Sequence, residues 1–171
     1  MQHLTKTIAL LACTISILSF YGCEKDDICV EGDTPLLVIG FYDIENPEVA
    51  QEVTALRVVG VEKDTTVNTV ADRTNLDEIT IPLQIDADTT SYVLISNSAS
   101  DESGMETGNV DVITFNYTTQ EVFVSRACGF VANFDTLTFE LPTDDDAWIQ
   151  DVEIVQTLVK DQVSAHVKIY H

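Results

Sequence analysis

Cys23 stands directly after Gly22 and six positions before Cys29, and these thiols have more chemistry open to them than any other side chains in the sequence. A cysteine can accept an acyl group, close a disulfide or ligate a metal, and its neighbourhood decides which. Upstream lie Lys6 and an uncharged apolar run, TIALLACTISILSF (7–20), ending in Tyr21 and Gly22. A positive start, an apolar stretch of this length and a small residue at its end describe a secretory signal, too short and wrongly flanked for a spanning helix.

The Gly-Cys junction also resembles the bacterial lipobox, in which the signal is cut before the cysteine and its sulfur receives a diacylglycerol. Phe20 and Tyr21 depart from the usual Leu and small residue of that motif. Residues 1–22 are therefore expected to be a lipoprotein signal peptide, with Cys23 lipidated and the membrane held by acyl chains. The competing reading is an ordinary signal cut nearby that leaves Cys23 as a thiol. Of the four cysteines, Cys13 leaves with the signal and Cys23 is acylated, so Cys29 and Cys128 remain. In an exported compartment one such pair is most simply a disulfide. A metal site would need further ligands, and only His166 and His171 survive in the mature chain.

No other group reads as catalytic. His166 alternates with Lys168 and Tyr170 while Ala165, Val167 and Ile169 take the apolar phase, which points the imidazole to solvent; His171 is expected to fray. No nucleophile elbow, P-loop, zincin or dinucleotide motif occurs, and no cofactor is implied. Cys128, in phase with Phe130, Ala132 and Phe134, reads as an inert half-cystine on an apolar strand face. The acidic segments DADTT (86–90) and PTDDDAW (142–148) could offer oxygens to Ca²⁺ but lack the spacing of a calcium loop, and solvated turns explain them as well. Trp148 shares a phase with Val152, Ile154 and Leu158 and is expected to anchor the core rather than stack on a sugar. Thr65, Thr89 and Thr136 each follow an Asp in turn-like segments, a weak pattern for O-glycosylation in exported bacterial proteins that Asp/Thr-rich turns explain equally.

The elements that must position these residues are strands. Short β-branched and aromatic runs at 35–43, 54–61, 79–85, 91–97, 110–117, 121–134, 136–141, 151–159 and 163–170 alternate with polar turns. That spacing predicts an all-β fold: one antiparallel β-sandwich, immunoglobulin-like or related, over residues 34–171, after an acidic tether at 23–33. NYTTQEV (116–122) and VKDQV (159–163) read as hairpin turns, NPEVAQEV (46–53) as a helical turn or two at most, and NSASDESGMETGN (97–109) as a mobile surface loop. Pro82 confines its strand to an edge or a bulge.

The seven basic residues left after Lys6 departs face 29 acidic ones, a formal charge of −22 that repels phosphate backbones and anionic head groups and so argues against nucleic acid as a partner and against a polybasic membrane contact. The segments CEKDDIC (23–29), TPLLVIGFYD (34–43), ITFNYTTQEVFVSRACGF (113–130), AWIQDVEIV (147–155) and AHVKIY (165–170) resemble a family of small uncharacterised lipoproteins of Bacteroidota-type bacteria, carried as a domain of unknown function. The resemblance implies an outer-membrane lipoprotein and no catalytic residue. In that group an acidic stretch with a lysine after the lipidated cysteine accompanies export to the cell surface, and Glu24, Lys25, Asp26 and Asp27 fit it; a solvated tether accounts for the same charges. The expected role is non-enzymatic, a lipid-anchored binding or scaffold module with a protein partner. A carbohydrate- or calcium-dependent binding domain is the alternative.

Overall fold

The computed structural model describes Cys29 and residues 32–61, 63, 65–142 and 145–171; the signal segment, Cys23 and residues 24–27 lie outside it. Among the described residues ten strands form two packed sheets, an all-β sandwich. Five of them precede the long central strands: β1 (Leu37–Tyr42), β2 (Val53–Gly60), β3 (Thr65–Thr66), β4 (Thr74–Leu76) and β5 (Glu78–Ile81). The rest are β6 (Thr89–Ser96), β7 (Asn109–Ser125), β8 (Gly129–Glu140), β9 (Asp151–Ile154) and β10 (Val167–Tyr170). One sheet runs β5-β1-β10-β9; the other runs β3-β2-β6-β7-β8, with β4 also on β2.

Alternation of side chains across each strand sends one face into a shared core. Ile39, Phe41, Ile81 and Ile169 from the first sheet meet Leu56, Leu94, Phe115 and Phe134 from the second, all fully buried. β1 is buried along nearly its whole length, as its unbroken apolar run LVIGF requires. The outward side of Gly40 is covered by the Tyr42 ring, which a Cβ would meet at 2.8 Å. Lys168 in turn sits 4.6 Å above that ring.

Several turns differ from the sequence-based expectation. β1 and β10 pair in parallel, Ile39 opposite Val167, so the sandwich is antiparallel everywhere except at this seam. NYTTQEV is no turn: β7 runs straight through it, because Thr118, Thr119 and Gln120 all find partners on β8. The reversal falls instead at Arg126–Cys128, where Gly129 takes φ +73°, a conformation other residues rarely adopt. β9 and β10 are antiparallel neighbours as expected, but twelve residues rather than three connect them, since Val159 leaves to bridge Phe134 at the edge of the other sheet. NPEVAQEV is a turn pinned at Tyr42–Ala50. Pro82 directly follows β5, an edge strand.

Candidate functional site

Beyond Thr118 the β7–β8 hairpin loses its neighbour. β6 accompanies β7 only as far as Asn116 and Val159 meets β8 at Phe134, so Gln120–Ser125 and Gly129–Asn133 continue as a two-stranded ribbon. No residue from 118 to 131 is buried. The ribbon carries Phe123 and Phe130, direct cross-strand partners 57% and 66% exposed, with rings edge to face at 5.4 Å between centroids. Val122 stands exposed on the opposite face. Among the described residues these are the only exposed large aromatics, and nothing there covers them.

At the turn the Ser125 hydroxyl accepts the Cys128 N–H at 3.1 Å, and Cys128 is disulfide-bonded to Cys29, 99 residues earlier, with Cα atoms 4.9 Å apart. Gly32 passes so close that an added Cβ would lie 3.0 Å from both the Cβ and Sγ of Cys128 and within collision of Cys29 Sγ. Two residues on, the Thr34 hydroxyl reaches the Ala132 N–H at 3.5 Å on the free edge of β8. The segment entering the domain is thus fastened to the hairpin rather than hanging from β1. The pairing matches expectation; the setting does not. Cys128 lies in the turn, not on an apolar strand face, and Phe130 faces solvent, because the core ends at Ala132 and Phe134.

The histidines are also corrected. His166 is 1% exposed: its Nδ1 accepts the Val38 N–H at 3.1 Å, and burial holds its pKa below the ordinary value against the pull of Asp161. It takes this position because β10 begins only at Val167, so the imidazole supplies the acceptor that a longer strand would give. His171 is not frayed; its ring packs on Trp148 and Phe41, and its backbone bonds Tyr42 and Ile44. Trp148 packs against the core as expected, its indole N–H on the Leu94 carbonyl at 3.2 Å.

A groove of about 820 Å³ opens between the β2–β3 turn and residues 82–86, lined in part by Lys63, Thr65, Gln84 and Asp86. The hydroxyls in and behind it are engaged: Tyr92, in its lining, donates to the Pro82 carbonyl, and Tyr117 donates to that of Gln84 at 2.8 Å. Burial raises both phenol pKa values, which keeps them neutral. Thr65, Thr89 and Thr136 are all exposed, on β3, at the start of β6 and at a φ +55° position of β8, so they are in strands rather than turns. Among the described residues no three of His, Cys, Asp and Glu are grouped to hold a metal ion.

One device escaped the sequence. The loop at 97–109, expected to be mobile, is clasped by Glu106 up to Gly108, and Asn109 already belongs to β7. Its carboxylate accepts from the Gly108 and Ala99 N–H groups at 3.0 Å, from Ser98 Oγ at 2.9 Å and from Arg57 at 3.2 Å. Burial opposes the charge, but these bonds outweigh it and bring the pKa down to about 2. Arg73 adds a second cation at 3.3 Å. An isolated Glu in an acidic loop carries no sequence signal for this.

Over residues 55–171 the sequence matches the model of a family of unknown function (DUF6452), and the chain belongs to that family. Neither the curated proteins nor the solved structures yield a match.

Proposed function

We propose that this member of the family is a lipid-anchored envelope protein without enzymatic activity, whose sandwich serves as a binding or scaffold module for a protein partner. The anchor is a diacylglycerol on Cys23, the compartment is the outer membrane of a Bacteroidota-type bacterium, and Glu24, Lys25, Asp26 and Asp27 are the signal for surface export. The observation that carries this reading is the Cys29–Cys128 bond, which ends the tether six residues after Cys23 and fixes it to the domain. A disulfide fits an exported compartment. The binding role is supported by what the polar groups do: Glu106, His166, Tyr92 and Tyr117 are each committed to backbone or structural partners. The packing of Trp148 into the core favours a protein partner over a sugar.

Metabolic labelling with a palmitate analogue, followed by crosslinking in intact membranes, tests the reading. An acylated chain that captures one discrete protein supports it. An unacylated chain in the soluble fraction overturns the anchor, and binding to immobilised glycan or Ca²⁺ without a protein partner overturns the choice of ligand.

A further inference from the structure

We infer that the β7–β8 turn is a second membrane contact: Phe123 and Phe130 enter the boundary between headgroups and acyl chains, and Arg126 meets the lipid phosphates. The inference rests on the lipid-anchored reading above and adds what that reading lacks, a fixed orientation of the domain on the bilayer.

Reach is the first argument. Cys29 lies six positions after Cys23, and a chain extends at most ~3.5 Å per residue, so Cys29 stays within about 20 Å of the acylated cysteine. Cys29 is bonded to the turn itself, which keeps the hairpin tip close to the acylated end of the chain.

Surface chemistry is the second. An exposed apolar patch with nothing packed on it marks a contact site. Here the patch is the paired rings of Phe123 and Phe130, at the part of the domain bound to the tether. Charge is the third. Arg126, exposed in the turn between the rings, is the only basic residue between Arg73 and Lys160 in a strongly acidic sequence. A guanidinium flanked by aromatic side chains suits a headgroup phosphate above acyl chains.

The test uses the mature lipidated protein on vesicles of phosphatidylethanolamine and phosphatidylglycerol with brominated acyl chains. The native Trp148, packed against the core, provides the baseline. Phe130→Trp places a reporter at an exposed position, where the fold tolerates it. The expected result is loss of most of the added tryptophan's emission with Trp148 unaffected. A second reporter, Val122→Trp, should be quenched with Phe123 and Phe130 in place and lose that quenching in a Phe123→Ser/Phe130→Ser background. A vesicle-bound, acylated protein whose added tryptophan is no more quenched than Trp148 overturns the tip contact and leaves the anchor standing. Tip-to-tip crosslinks without quenching assign the patch to a second copy and also overturn it. A protein that carries no acyl group fails at the anchor, and the inference falls with it.

Discussion

Val38 and His166 exchange two hydrogen bonds of different kinds: the Val38 N–H goes to the imidazole Nδ1 at 3.1 Å, and the His166 N–H returns to the Val38 carbonyl at 2.9 Å. A side chain here completes a parallel backbone ladder. The imidazole must be neutral to accept, so protonation breaks the bond.

Acid should therefore weaken the domain through His166. Its folded pKa is depressed below 6.5, so its contribution is fully present above that value and is lost as the pH falls through it toward the folded pKa. His166→Leu removes the acceptor and should cost about 1–3 kcal/mol at neutral pH, while flattening the stability profile below pH ~6.5. Urea unfolding across that range measures both.

Severing the Cys29–Cys128 bond by a double Ser substitution should cost about 2–5 kcal/mol, and in the chain-entropy model a loop of this size accounts for on the order of 4 kcal/mol. Gly32→Ala is the subtler test, since the new methyl has no room beside the sulfurs. It should lower the melting temperature of the oxidised protein and leave the reduced protein nearly unchanged. Two free thiols in unfolded, unreduced protein would contradict the bond.

Glu106→Gln should loosen residues 97–108. The depressed pKa means that the carboxylate's contribution is present above about 4.5 and disappears toward pH 2. Neutralising it leaves Arg57 and Arg73 facing each other without their shared anion, a loss of about 2–3 kcal/mol. Faster amide exchange at Ala99 and Gly108 would localise the effect.

Cys23→Ser should abolish acyl labelling and yield a soluble or uncleaved chain, because the acyl acceptor is gone. Undiminished labelling in this variant would refute the anchor.

The strands were legible where alternation or an unbroken apolar run set them, as in 37–42 and 91–96, and so was the single cysteine pair. Three features were not. Thr118, Thr119 and Gln120 look like turn residues, yet long-range pairing with β8 makes them strand. His166 follows the outward phase of its strand, but that phase breaks one residue before β10 begins. The exposure of Phe130 depends on where the second layer stops, a tertiary fact absent from a period-2 pattern. For the candidate site, the sequence contained the bond between Cys29 and Cys128 but not that the bond sits on a bare aromatic turn.

The seam between β1 and β10 also constrains how the molecule is made. Ile39 finds Val167 only 128 positions later, so during synthesis β1 can be flanked on one side by β5 while its other edge waits for nearly the whole domain to emerge. A closure this distant is slow, and until it happens an apolar edge is open to any passing chain. Removing residues 167–170 would do more than shorten the protein: it would take out the strand that pairs with both β1 and β9 and leave each of them with an unpaired edge.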